Sequence, residues 1–241
     1  MTGVQTCALP IYHYVCREDG RCAPDAFVTE WFFSYNSNKE IQMYGAIHDV
    51  TVDWGDGNVE SYKDLNVISH DYTRRGTYRV TIIGKFDDFS VCKIENDSDS
   101  VVKKNICGHA DRLKNVHSFG MIGLGTGAFY NCTELEGISR VDIPDSSKLK
   151  SMGFIFYNAY KFNDKVEKWD VSNVKNMNSM FRRAISFNQP VEQWDTSSVV
   201  NMEHAFSGLE ISTLNYISMK FDNSLNNWNV TKVENMEGMF I

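Results

Sequence analysis

The 241-residue chain lacks the sequence signatures of several large protein classes. It has no run near the roughly 20 apolar residues that a transmembrane helix needs, which predicts no transmembrane segment. Positive charge is scarce: 24 lysines and arginines against 31 acidic residues give a net charge of −7. This balance argues against nucleic acid as a partner, because nucleic-acid-binding surfaces are basic. Only four prolines beside 13% aromatic residues are typical of a folded, β-rich protein rather than a disordered one.

Catalytic and metal-binding motifs are also missing from the sequence. There is no G-x-S-x-G motif and no P-loop, and the six histidines do not have H-E-x-x-H spacing. The six cysteines contain no C-x-x-C pair of the kind that binds zinc. We therefore predict a protein that is not an enzyme and has no cofactor or metal.

Five of the cysteines have interpretable positions. Cys16 and Cys22 flank a turn-rich segment that a disulfide could close, and Cys92 and Cys107 could form a second pair. Cys132 stands where the repeat described below requires an apolar residue, which predicts a buried small side chain rather than a reactive thiol. These pairings leave the redox compartment open.

The strongest pattern is a phrase that occurs three times toward the C-terminus. Its copies begin at Trp169, Trp194 and Trp228, and each reads W-[DN]-[VT]-[ST]-x-V-x-N-M, followed closely by phenylalanine. The second copy starts 25 residues after the first, and the third starts 34 residues after the second. Such a period is typical of stacked repeats, because one unit is too small to bury its apolar face alone.

Within each copy, the residue types predict a short strand, a capped helix and a return loop. Trp169 and Val171 alternate as in a strand, and Ser172 stands at a helix N-cap position. The apolar residues that follow recur every three or four positions, which predicts one face of a short helix. They are Val174, Met177, Met180, Phe181 and Ala184.

Weaker copies of the phrase precede these three. Leu149–Asn163 fits the same register, and Ile122–Leu135 with the later Ile143-Pro144 is a more distant variant. Residues 105–241 therefore resemble the BspA-like leucine-rich repeats of bacterial surface proteins. The resemblance implies an α/β leucine-rich-repeat solenoid of short strand-helix units.

A second pattern precedes the repeats. Trp54–Gly57 reads W-G-D-G, and His70–Val80 reads H-x-Y-x-x-x-G-x-Y-x-V. These motifs resemble the PKD-type immunoglobulin-like domain, which implies an antiparallel β-sandwich. The strands predicted around them are Trp31–Tyr35, Ile41–Ile47, Val50–Trp54 and Tyr78–Phe86.

Four residues of this region have two interpretations. Asp53, Asp56, His70 and Asp71 could form a metal or acid/base site. Alternatively, the aspartates bind turn amides and His70 braces the opposite loop, which is the role that the PKD-like resemblance implies. We favour the second interpretation.

We thus predict a β-rich two-domain chain, with an immunoglobulin-like sandwich at 30–104 and the repeats at 105–241. Met1–Ile11 resembles the conceptual translation of a sequencing adapter, and residues 12–29 are predicted as a leader or linker. The third copy of the phrase is cut short at Ile241. The chain is therefore expected to be a fragment at both ends.

The predicted function is non-catalytic, adhesin-like binding at the cell surface or after secretion. The resemblance implies an extracellular protein or glycan of a host or neighbouring cell as the partner, bound on polar positions of the repeat surface. One alternative is a carbohydrate-binding accessory region of a larger secreted enzyme, and another is an enzyme that uses Asp53, Asp56 and His70. The predicted partner-binding residues are Lys175, Asn178, Arg182, Arg183, Glu203 and His204.

Overall fold

The computed structural model describes residues 7–9, 12–16, 22–34, 39–93, 106–140, 142–145, 149–212 and 215–241. The strands are β1 (Cys7–Leu9), β2 (Tyr12–Cys16), β3 (Cys22–Pro24), β4 (Ala26–Phe33), β5 (Glu40–Asp53), β6 (Val59–Asp71), β7 (Gly76–Ser90), β8 (Cys92–Lys93), β9 (Ile106–Cys107), β10 (Leu113–Ser118), β11 (Leu209–Ser212) and β12 (Asn215–Ile217). Within these ranges the only helix is a 3-10 turn at Ala110–Arg112. The described residues thus include no helix with the length and apolar character of a membrane span.

Five strands form one antiparallel sheet, in the order β10-β4-β7-β5-β6. Alternate side chains of β4 and β7 enter the core, among them Phe27, Trp31 and Val80, because successive residues of a strand point to opposite faces. The predicted two-sheet immunoglobulin-like sandwich is therefore wrong.

A bend in one long hairpin explains this difference. The predicted strands Ile41–Ile47 and Val50–Trp54 form one strand of 14 residues, β5, which ends at Asp53. It has a bulge between Tyr44 and Ile47, where a Cβ on Gly45 would lie 2.6 Å from a backbone oxygen of β7. Beyond the bulge the hairpin of β5 and β6 folds back over the core, as the bond from the Tyr72 hydroxyl to Trp54 O (2.7 Å) shows.

The cysteines fall in two groups. Cys92 and Cys107 form a disulfide between β8 and β9, which confirms that predicted pair. Cys132 is fully buried and its burial raises the thiol pKa, as expected for a small core side chain. Cys16 and Cys22 are opposite each other in the β2–β3 pair, but their side chains lie outside the described residues, so their disulfide stays a prediction.

The proposed chain divisions at 11/12, 29/30 and 104/105 likewise stay predictions. Strand β1 is paired with β2, and β3 is paired with β2 on the other side, in a separate three-stranded sheet. Strand β10, C-terminal to the last division, pairs with β4 of the five-stranded sheet.

From Ile122 onward the described residues, apart from strands β11 and β12, form a column of turns that we call the repeat stack. Parallel bridges join Ser151 to Asn176, Asn176 to Asn201, and Asn201 to Asn235. Between bridges, each unit donates amides to the next unit, as from Phe181 N to Ala205 O (2.9 Å). The units are therefore joined edge to edge through their backbones, as parallel strands are.

The interior of the repeat stack is built from columns of identical side chains. The main column contains five phenylalanines whose ring centroids are 5.5, 5.4, 5.6 and 5.8 Å apart. Its members are Phe129, Phe156, Phe181, Phe206 and Phe240. Trp194 and Trp228 stack in the same way at 6.3 Å, whereas Trp169 packs against Phe156 at 5.7 Å.

The predicted strand-helix solenoid is wrong, because the backbone of each unit makes turns instead of a helix. Met180 N bonds to Met177 O within its unit, but Ser179 N bonds to Glu203 O of the next unit. An α-helix requires every amide to bond four residues back. Ser179 and Arg183 also have φ of 53° and 63°, a left-handed conformation that ends a right-handed helix.

Two features of the phrase explain why it suggested a helix. Turns closed by bonds between residues three apart bury side chains at nearly the spacing of an α-helix, and Met177, Phe181 and Ala184 are fully buried as predicted. Ser172, expected as an N-cap, donates its amide to the side chain of Asp170 (3.0 Å). It therefore lies in an Asx turn, which uses the same residue types as a cap.

Candidate partner-binding surface

The predicted partner-binding residues lie in two adjacent turns of the repeat stack. Phe154, Ser179, His204 and Gly238 occupy the same corner of successive turns, with φ of 58°, 53°, 51° and 60°. The first three corners are each fixed by a bond to the next unit, for example from His204 N to Glu237 O (2.8 Å). The corners therefore hold the side chains around them at a regular spacing along one face.

Asn178 and Glu203 are already bonded to each other across the turns. Glu203 Oε2 accepts from Asn178 Nδ2 at 2.9 Å and from Asn235 Nδ2 at 3.2 Å. One carboxylate thus bridges side chains of three successive units. These contacts give Asn178 and Glu203 a role in holding the repeat stack together.

Lys175 and His204, the first and last of the predicted partner-binding residues, differ in their contacts. His204 is half-buried, with Nδ1 at 3.3 Å from Gly238 O and Nε2 at 4.0 Å from Glu203 Oε1. Lys175 is exposed to solvent. Its backbone bonds to the neighbouring units through Lys150 O and Val200 N, which fixes the main chain and leaves the ammonium group in water.

Arg182 and Arg183 form the most distinctive pair on this face. Both are half-buried, and the Nε of each is excluded from solvent without a hydrogen-bond acceptor. Among the described residues neither guanidinium forms an ion pair with a carboxylate, in contrast to Lys114, which binds Glu134 at 2.7 Å. The pair is therefore positive and unneutralised.

Aromatic side chains lie beside the arginines. The guanidinium of Arg183 lies over the ring of Tyr157 at 5.7 Å from its centroid, within the range of a cation–π contact. Tyr157 stacks on Tyr130 at 4.8 Å, and Phe154 lies 6.0 Å from Tyr157. A positive pair bordered by aromatic rings is the composition typical of protein interfaces.

The acidic group of the sheet has the turn-binding geometry that we favoured. Asp53 Oδ1 accepts Gly55 N at 2.9 Å, and Asp56 Oδ1 accepts Asn58 N at 3.0 Å. His70 stacks on Trp54 and lies 2.9 Å from Asp56 Oδ2. Burial opposes ionisation of Asp56, but hydrogen bonds from His70 and Asn58 outweigh it, so its pKa is lower than usual.

Asp71 does not join this group. It lies at the end of β6, where its backbone is in register with Glu40 of β5. Two other described histidines each lie near one carboxylate: His48 Nε2 is 3.2 Å from Asp87 Oδ2, and His117 Nε2 is 3.3 Å from Glu30 Oε2. In the described part of the chain, no three His, Cys, Asp or Glu side chains are grouped as metal ligands.

A polar cleft of about 440 Å³ lies where β10 meets the repeat stack. Glu30, beside it, binds Asn115 at 3.0 Å and His117 at 3.3 Å. Burial opposes its ionisation, yet these bonds hold the pKa of Glu30 below its usual value. The lining residues are Asn115, Val116, His117, Glu136, Gly137, Ile138, Ser139, Arg140, Asn163 and Asp164. This cleft could not be predicted from the sequence, because its residues come from separate segments with no shared motif.

The comparison with family models matches residues 126–241 to the family described as "Mycoplasma protein of unknown function, DUF285". No curated protein gives a significant match to the chain. No solved structure does so either. The predicted BspA-like and PKD-like resemblances are wrong. The matched family is a different one, the described repeats contain no α-helix, and the strands predicted as a sandwich lie in one five-stranded antiparallel sheet. The repeat stack, from its first turns to Ile241, is thus similar to the DUF285 family.

Proposed function

We propose that this chain is a non-catalytic binding protein that recognises another protein through the face of the repeat stack around Arg182 and Arg183. The observation that carries the proposal is the unneutralised arginine pair beside Tyr157. Arginine and tyrosine are enriched at interfaces and dominate their binding energy. Lys175, exposed on the same unit, adds a further positive charge to that unit.

Rigidity of the surface supports this role. Four backbone amides of the Arg182 unit donate hydrogen bonds to the following unit, those of Met177, Ser179, Phe181 and Arg183. A preorganised surface loses little conformational entropy on binding, so more of the contact energy becomes affinity.

We propose the cell surface or the extracellular medium as the location. The disulfide Cys92–Cys107 supports this location, because disulfides persist in oxidising compartments and are rare in the cytosol. An extracellular protein of a host or neighbouring cell is accordingly the proposed class of partner.

A glycan is the second candidate partner. The observation that favours it is the cleft beside β10, whose lining groups are mostly polar and so suit a hydroxylated ligand rather than an apolar one. This candidate corresponds to a carbohydrate-binding accessory region of a larger secreted enzyme.

Parallel arrays of extracellular proteins and of glycans, probed with the full chain, test both candidates. The heat-unfolded chain serves as the control for non-specific adhesion. Saturable binding to proteins that unfolding abolishes is the expected result. Binding confined to glycans supports the second candidate, and absence of saturable binding on both arrays contradicts both.

A further inference from the structure

We infer that two copies of this chain pair through strand β6 and form a dimer with two-fold symmetry. The strand lies at one edge of the five-stranded sheet, and its only strand partner among the described residues is β5. In an edge strand, alternate N–H and C=O groups point away from the sheet and can pair with another strand. This surface belongs to the sheet, so the inference goes beyond the binding proposed for the repeat stack.

The opposite edge of the sheet is already covered. Strand β10 forms that edge, and its backbone bonds to the repeat stack. Val116 N donates to Gly137 O at 3.0 Å, and Lys114 O accepts from Glu136 N at 2.9 Å. Another strand cannot add to β10 without breaking these bonds. Of the two edges, β6 is therefore the one that can take a second copy, and a dimer formed through it offers no edge to a third.

The middle of β6 has the composition of a strand that pairs. Leu65–Ser69 contains no charged residue, although most of β6 is exposed to solvent. Leu65 and Val67 are 43% and 46% exposed, and residues two apart point to the same side of a strand. Charged residues normally protect an edge strand from pairing, and here they stand on either side of the segment. Pairing with a second copy removes the apolar surface of both copies from water.

Charge selects the direction and the register of this pairing. Parallel strands in register would place every charge opposite its own copy, which is unfavourable. In an antiparallel pair with Val67 on the two-fold axis, Lys63 of one copy lies opposite Asp71 of the other, since each is four residues from Val67. The symmetry gives this contact twice. An axis one or two residues earlier, or one later, places Lys63 opposite an uncharged residue, and an axis at Asp64 places two aspartates together.

Both charged side chains are available for this contact. Lys63 and Asp71 are exposed, and within the described ranges neither forms an ion pair. The regular edge begins at Leu65, because Asp64 has a φ of 53°. Lys63 lies just before that point, and the flexible four-carbon stem of lysine lets its ammonium group reach the carboxylate of the second copy.

The test is analytical ultracentrifugation of the full chain over a concentration series. We expect an equilibrium of monomer and dimer without larger species. Lys63→Asp should raise the dimer dissociation constant at least fivefold, because two aspartates then face each other at both ends of the paired segment. Asp71→Lys should do the same with two lysines. The variant with both substitutions restores opposite charges and should return to within about twofold of the wild type, as should an equimolar mixture of the two single variants.

A matched pair of variants tests the edge itself. Val67→Lys places like charges directly opposite each other on the axis and should raise the dissociation constant at least tenfold. Ile83→Lys is the control, because Ile83 is 48% exposed but lies on β7, in the middle of the sheet. It should change the constant less than twofold. Melting curves at concentrations where the wild type is monomeric establish that each variant is folded.

Three results would overturn the inference. The first is a wild-type chain that stays monomeric at the highest soluble concentration. The second is a dimer that Val67→Lys and Ile83→Lys weaken equally. The third is a loss of dimer in Lys63→Asp and Asp71→Lys that neither their combination nor their mixture restores. Hydrogen exchange adds a direct reading: the amides of residues 65–69 should exchange more slowly as the concentration rises, and unchanged exchange beside a dimer would place the contact elsewhere and contradict the inference.

Discussion

The five-stranded sheet and the repeat stack bury their apolar side chains in opposite ways. In the sheet, every core side chain meets different neighbours, as Phe27 meets Phe89 while Phe33 meets Tyr72. In the repeat stack, a side chain meets copies of itself: Phe181 lies between Phe156 and Phe206. A change at one place in the stack must therefore suit two identical neighbours, which explains why the phrase is repeated so closely.

The sheet also provides the first layer on which the repeat stack is built. Phe89 N bonds to Gly123 O at 2.8 Å, and Gly125 N returns a bond to Phe89 O at 2.9 Å. The Ser90 hydroxyl, one residue on, donates to Gly127 O at 2.9 Å. The first turn of the stack thus has its polar backbone groups satisfied by the end of β7, so each region stabilises the other.

Removal of one phenylalanine from the middle of the column should give the largest effect. Phe181→Ala leaves a cavity between two stacked rings, and we expect a loss of about 3–5 kcal/mol in the free energy of unfolding. Phe240→Ala, at the 63% exposed end of the same column, is the control and should lose far less. Urea unfolding followed by circular dichroism gives both values. Equal losses of unfolding free energy in the two variants would show that the phenylalanines do not form a stacked column.

The disulfide at the junction should have the next largest effect. Cys92 and Cys107 are separated by 15 positions in sequence, and closing a loop of that size contributes about 3 kcal/mol. Replacement of both cysteines by serine should lower the free energy of unfolding by about that amount, and the wild type in reductant should match the variant. A reduced wild type as stable as the oxidised one would show that the bond does not stabilise the junction.

The left-handed corners of the repeat stack should be sensitive to backbone strain. Ser179→Val places a β-branched residue at φ 53° and should destabilise the chain by about 2 kcal/mol. Ser179→Gly removes the strain and should stabilise it by about 1 kcal/mol. Thermal melting of the two variants checks the sign. If valine is tolerated as well as glycine, the corner is not left-handed.

The smallest expected effect is the pH dependence of the loop at Trp54. The pKa of Asp56 is lower in the folded protein than in the unfolded chain, so its ionised form stabilises the fold above the unfolded pKa of about 3.9. This contribution is lost as the pH falls through the lower folded pKa. Asp56→Asn should therefore be less stable than the wild type at pH 6, and the two should converge near pH 2. Urea midpoints that keep a constant difference at both pH values would contradict this role.

The two regions also differ in how much of them could be predicted from sequence. The core of the stack was predictable, because burial of Met177, Phe181 and Trp194 follows from their spacing. The backbone that connects them was not, since turns and helices bury side chains at similar intervals. In the sheet, β6 was missed because most of its side chains are exposed and show no alternation.

The candidate site shows the same division. Sequence reasoning identified Arg182 and Arg183 as polar positions of one unit, but it could not show that Asn178 and Glu203 are bonded to each other across the turns. That bond depends on the register between units, which the backbone ladder sets. The contact of His70 with Asp56 agrees with the expected brace, although the PKD-like resemblance that implied it is wrong.

The most direct test of the repeat stack is the backbone conformation of Ser179, Arg183 and His204, measured by NMR chemical shifts and three-bond couplings in the full chain. We predict positive φ at all three residues, together with a through-hydrogen-bond coupling from Phe181 N–H to the carbonyl of Ala205. An uninterrupted run of α-helical shifts over residues 174–184 would contradict the stacked turns and the surface around Arg182 and Arg183 that depends on them.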